Sequence, residues 1–368
     1  MAEKMVIPFV DLARQFRSIE DELTKAFVDV GRSGAYIMGE RLESFEKKIA
    51  EFIGVSHALG VADGSDALFL VLKAWGIGPG DEVITATNSF IASAWVIVAV
   101  GATPVLVDVA EDFNIDPARV EAAITSRTKA ILPVHLTGRP APMDEINALA
   151  KRHGLYVLED AAQAIGARYR GTRVGALGSA AGFSLHPLKN LGVYGDGGLI
   201  TTNDDDLAAM LRKLRNHGLR NRDECEIWGF NSRLDTMQAA FAEIKLRHLD
   251  GWNNRCREIA HAYRSGLSDC VQVPVDQDWE ECVYHNFVIR VDRRDELMAH
   301  LKQQGVDTRV HYPIPIHLQD AAKDLSYKLG DFPNAERYAK TMISLPIYPE
   351  LSDAEVAHVV QSVKSFFS

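Results

Sequence analysis

Residues 155–202 constrain this chain more than any other stretch. They read LYVLEDAAQAIGARYRGTRVGALGSAAGFSLHPLKNLGVYGDGGLITT. Residues 155–158 form an apolar run too short for a helix of its own, and the run stops at Glu159-Asp160. This predicts a buried parallel strand with acids at its carboxyl end, where α/β sheets place ligands. A second apolar run, 180–185, leads through Ser184 and His186 to Lys189 and then to Gly195-Asp196-Gly197-Gly198. The lysine therefore belongs on a loop between strands. A strand-end Asp and a lysine on a glycine-flanked loop suit pyridoxal phosphate. That cofactor needs a lysine to hold it as a Schiff base and a carboxylate to keep its pyridine nitrogen protonated. A surface lysine beside a structural turn is the bland alternative, and it does not account for these features occurring together.

Upstream, short apolar runs alternate with helical patterns. Strands are expected at 57–62, 82–86, 104–109 and 130–134, and helices at 64–75, 89–100, 117–124 and 143–153. The alternation predicts an α/β chain with a mainly parallel, doubly wound sheet. Amphipathic helices are expected at 11–30 and 40–53, around a turn at 34–39. A strand at 199–202 and a helix at 204–216 follow, and 233–267 reads helical for most of its length. Beyond it the pattern changes to a strand at 284–291, a helix at 295–304, Pro-rich HYPIPIHLQ and a terminal helix at 353–367. At 368 residues the chain exceeds one core. We expect a large α/β domain over 1–249 and a smaller α+β domain over 250–368.

The formal net charge of −10 argues against a non-specific nucleic-acid binder. The four cysteines show no CxxC pair, and the histidines show no HxxxH or HxH spacing, so no metal site is expected. With reduced thiols and no long apolar N-terminal core, the reading is a cytoplasmic protein. Residues 83–107 carry no formal charge, yet Gly101, Pro104 and a run of hydroxyls break them. A strand, a buried helix and a strand are expected there rather than a membrane span.

Gly64-Ser65 opens a predicted apolar helix and offers a phosphate cradle: bare backbone N–H groups, a hydroxyl and a helix N-terminus. The same dipeptide would serve as an ordinary N-cap, and a capping end is also what binds phosphate.

EDAAQAIGA followed by FSLHPLKNLGVYGDGG resembles the signature of the DegT/StrS-type aminotransferases, which act on nucleotide-linked keto sugars. The likeness runs from PFVDL at Pro8 to LPIYPELS near the end. It implies the type I fold of pyridoxal phosphate enzymes, with Lys189 and Asp160 as catalytic residues. It also assigns Ser184 to the cofactor phosphate, Phe90 to stacking on the pyridine ring and Gln163 to the phenolic oxygen. Asn231 and Arg233, in GFNSRLDTMQAAF, resemble a segment donated across a dimer interface, where the asparagine reaches the neighbouring subunit's phosphate. Tyr312 and His317 are candidate substrate contacts.

The resemblance implies a homodimer with shared active sites that moves an amino group from L-glutamate to a nucleotide-linked keto sugar. NSRLDTMQAA and HYPIPIHL look more like enzymes for 3-keto than for 4-keto sugars. Two alternatives stay open: dehydration or lyase chemistry on the same scaffold, and a non-catalytic regulatory protein. Some relatives that dehydrate carry a histidine in place of the lysine. Here His186 falls three residues before Lys189, and the lysine is present.

Overall fold

A computed structural model describes residues 5–368. Seven strands form the central sheet: β1 His57–Val61, β2 Glu82–Ala86, β3 Thr103–Val107, β4 Thr128–Leu132, β5 Tyr156–Asp160, β6 Ala180–Ser184 and β7 Gly198–Thr202. Their spatial order is β1-β7-β6-β5-β4-β2-β3. From β6 to β3 all neighbours run parallel, whereas β7 is antiparallel to both β6 and β1. The mainly parallel sheet is as the alternation of apolar runs predicts, and the reversed strand is an addition to it. Its cause is local. The chain passes from β6 to β7 without a helix, and a parallel return needs a crossover that residues 185–197 do not supply.

Strands β2 and β4 are buried along almost their whole length, covered on both faces as a central parallel strand requires. The uncharged stretch 83–107 resolves into β2, the helix Ala92–Ala99 and β3. Among the described residues no helix is long and apolar enough to cross a membrane. The four cysteines are free, Cys256 and Cys282 being buried.

Some expected boundaries move. The helix expected over 89–100 begins at Ala92, so Asn88, Ser89 and Phe90 stay in the turn that follows β2. The expected helix 11–30 is two helices, Leu12–Ser18 and Glu20–Ser33, broken at Ile19 with φ −133°. Glu20–Ser33 turns Leu23, Ala26 and Val30 towards Ala240, Phe241 and Ile244 of the helix Thr236–Leu267. The spacing of those three residues gives the apolar stripe of a surface helix.

Thr236–Leu267 is 32 residues long. Its second half packs with an antiparallel pair, β8 Phe287–Arg290 and β9 Met342–Leu345, and with the helices Arg294–Gln303 and Asp353–Lys364. Ile7 joins this cluster and bridges Val306, so the N-terminal stretch is fastened to the C-terminal part of the chain.

Candidate active site

The two acids that end β5 face different surroundings because successive strand side chains alternate. Glu159 is fully buried and accepts from the backbone N–H groups of Gly175, Leu177 and Gly178. His135 lies 3.0 Å from it, with its other ring nitrogen accepting from the Ala141 N–H. Glu159 is therefore a satisfied structural carboxylate. Asp160 is buried as well, and it accepts from the Ser93 hydroxyl at 2.7 Å and the Ala162 N–H at 3.2 Å. Ser93 in turn meets the Ser89 hydroxyl at 2.8 Å. Burial pushes the Asp160 carboxyl up, opposed first by Ser93 and Ala162 and then by the charges of Lys189 and His135.

Lys189 stands on the tight loop between β6 and β7. Its N–H donates to the His186 carbonyl, and the Val193 N–H donates back to Leu185. Burial pushes the lysine amine down to about 8, while Asp160 pulls it up. Two imidazoles share this neighbourhood. His285 is held well below the usual histidine range and His311 is pushed down to about 4, each first by burial and then by the charge of Lys189. Asp160 and Lys189 thus lie near enough for the charge of each to influence the titration of the other.

The helix Gly64–Ala74 starts directly against the end of β6. A Cβ at Gly64 would lie 2.8 Å from the Ser184 Cβ, so the close approach requires glycine. The Asp63 carboxylate caps this helix and accepts from the Ser65 and Asp66 N–H groups. The Gly64 N–H and the hydroxyls of Ser65 and Ser184 lie together at this junction, where they could donate to a phosphate, and the Ser184 hydroxyl also accepts from the His186 N–H.

Gln163 accepts from the Thr137 N–H at 2.7 Å and donates to the Tyr312 hydroxyl at 3.2 Å. The Tyr312 ring stands 5.8 Å from Phe90, which is 54% exposed at the mouth of the site. Those three expected residues are therefore connected. His317 is placed differently. It is 3% exposed, and its ring nitrogens meet the Thr87 hydroxyl at 2.8 Å and Glu336 at 3.1 Å. In this geometry it ties the Pro-rich loop to the segment after β2. Asn231 is exposed, and its backbone bridges Asn216. Beside it Trp228 is 94% exposed.

The donor set fits pyridoxal phosphate: a lysine of lowered basicity, a buried carboxylate already held by two donors, and hydroxyls beside a helix N-terminus that admits no side chain at Gly64. Ser93 and His285 were not singled out in the sequence, and His311 was weighed there only as a metal ligand. Ser93 is 67 positions from Asp160, and only the pairing of distant strands joins them.

Residues 17–364 match the model of the DegT/DnrJ/EryC1/StrS aminotransferase family. Over 368 residues the chain is 47% identical to the dTDP-3-amino-3,4,6-trideoxy-alpha-D-glucose transaminase of Streptomyces venezuelae, covering 99% of this chain and 97% of that protein. It is also 47% identical to a pleiotropic regulatory protein of Geobacillus stearothermophilus, with 99% of each covered. The crystal structure of S. venezuelae DesV in complex with a ketimine intermediate superposes with a TM-score of 0.96, at 47% identity and 98% coverage of both chains. Solved structural neighbours include forms with the pyridoxamine and pyridoxal states of the cofactor. A family match over nearly the whole length, on a fold that superposes on a solved member's, identifies the chain as a member of the DegT/DnrJ/EryC1/StrS aminotransferase family, an aminotransferase that works with pyridoxal phosphate.

Proposed function

We propose that this chain moves an amino group from L-glutamate to the ketone of a nucleotide-linked 3-keto sugar. The observation that carries the reading is the electrostatic pairing of Lys189 with the buried Asp160, in a chain whose relatives bear the names of 3-amino-sugar transaminases. Pyridoxal phosphate, when bound, supplies the carbonyl that exchanges for the amine and the ring that takes up electrons.

The protein's own share is proton handling and orientation. With its amine pushed down to about 8, Lys189 is partly neutral near pH 7 to 8, so the nitrogen can take a proton from the donor's α-carbon and later return one. Asp160 would supply the carboxylate for the ring nitrogen, and the Ser93 hydroxyl, by donating to it, aims it and opposes the burial that raises its titration. Gly64, Ser65 and Ser184 would hold the phosphate and Phe90 would cover the ring, while Gln163 orients Tyr312 at the mouth. We read the smaller region, 250–368, as the domain that closes over the sugar, with the boundary inside the long helix. A cytoplasmic homodimer in which Asn231 serves the partner's phosphate completes the reading. One relative carries the name of a pleiotropic regulatory protein, and intact Lys189 and Asp160 favour catalysis over such a role here.

A panel of nucleotide-linked 3-keto and 4-keto sugars, each assayed for 2-oxoglutarate release from glutamate, tests this. Turnover confined to 3-keto members is expected, and turnover confined to 4-keto members would overturn the substrate assignment. Loss of water from the sugar without consumption of glutamate would instead indicate dehydration.

A further inference from the structure

One face of the helix Thr236–Leu267 carries three polar residues where an apolar stripe would be cheaper to bury. Gln238 lies at the first of these positions, Lys245 two turns later and Asn253 about two turns beyond that. All three are attached to the loop that bears Lys189. The Gln238 side chain accepts from the Tyr194 N–H and donates to the Tyr194 carbonyl, both at 2.9 Å. Lys245 donates to the Gly192 carbonyl at 2.6 Å, and its amine stands 4.3 Å from the centre of the Tyr194 ring. Asn253 accepts from the Asn190 side chain at 2.9 Å, and Asn190 also donates to the Val283 carbonyl. Successive turn pairs of the helix therefore grip residues 194, 192 and 190 in reverse order.

Lys245 is the unusual member. It is 2% exposed, and its second donor goes to the Gln15 side chain at 2.9 Å, so it faces two neutral oxygens. Burial pushes its amine down to about 8, opposed by the charge of Glu350. Burying an ammonium group against neutral partners is unfavourable unless those partners need it. Here they do. A Cβ at Gly192 would lie 2.4 Å from the Pro187 carbonyl oxygen, so the loop closes tightly on itself and its carbonyls depend on donors from outside.

The geometry points to a clamp: Gln238, Lys245 and Asn253 are positioning residues that hold the lysine loop in register and so fix the approach of Lys189 to the site. This rests on the reading of Lys189 as the cofactor lysine. A purely structural lysine would stiffen the helix and its neighbours alike, whereas a clamp acts on residues 186–196.

Lys245→Met keeps an unbranched side chain one atom shorter and deletes the donors. Amide hydrogen exchange should be followed by mass spectrometry in the holoenzyme and in the cofactor-stripped protein. Exchange across 186–196 should quicken about tenfold or more, with the helix and the central strands unchanged. The acylation midpoint of Lys189 in the stripped variant should rise from about 8 towards that of an ordinary lysine as water enters. Unchanged exchange and an unchanged midpoint in a folded variant would overturn the clamp. So would exchange that rises equally through the helix and the strands. If Lys245→Met does not fold, Gln238→Ala, at the less buried end, gives the same two readouts. Mapping the borohydride-fixed cofactor checks the underlying reading separately. A label away from Lys189 would remove that reading and leave the exchange result standing.

Discussion

Burial lowers the basicity of the Lys189 amine and the charge of Asp160 raises it, so the two residues titrate against each other. In cofactor-stripped protein, acylation of Lys189 followed by peptide mass should show a midpoint near 8, where an exposed lysine titrates about two units higher. Asp160→Asn removes the charge that favours the protonated amine, so the midpoint should move lower still. A midpoint that stays put or rises would contradict the pairing. In turnover, Asp160→Asn should cost about a hundredfold or more, because an amide cannot balance a protonated pyridine. Ser93→Ala deletes a hydrogen bond to a buried carboxylate, worth about 1.5–3 kcal/mol. Asp160 should then titrate higher, and the cofactor spectrum should show it as an altered pH profile at unchanged fold. At this scale the sequence was legible where a residue stands beside its own signal. Asp160 ends an apolar run and Lys189 precedes a glycine cluster. Ser93 and Lys245 carried no such mark, since both owe their roles to partners far along the chain.

In the proposed site two elements meet where the phosphate would bind, the start of the helix Gly64–Ala74 and the end of β6. Gly64→Ala would force them apart, because the new Cβ meets Ser184 backbone as well as side chain. A strained contact of this kind costs about 1–3 kcal/mol. Thermal unfolding should show that loss, and cofactor affinity should fall with it. Wild-type affinity in Gly64→Ala would mean that the cradle lies elsewhere. The strands and helices were readable because their apolar periods are regular. The direction of β7 was not, since the period of a strand is the same in either direction. The missing crossover helix between β6 and β7 was the available clue. Ile19 broke the first expected helix for a comparable reason: its apolar character fits the pattern, but its extended φ ends one helix and begins another.

For the whole molecule, the reading joins two subunits. Asn231 is exposed beside the fully open Trp228, which agrees with a segment made to reach outward. Mixing inactive Lys189→Ala with Asn231→Ala should then partly restore activity, once tagged co-purification confirms that subunits exchange. One site of such a heterodimer keeps both residues intact. No recovery, with Asn231→Ala alone clearly impaired, would leave Asn231 serving its own chain. The sequence could suggest this only through family resemblance, because a contact between subunits leaves no period or spacing in one chain. The measurement that bears most directly on the whole account is the fate of the cofactor itself. Borohydride reduction of the holoenzyme, followed by peptide mass spectrometry, should place a single pyridoxyl group on Lys189. A pyridoxyl group on any other lysine, Lys245 included, would contradict it.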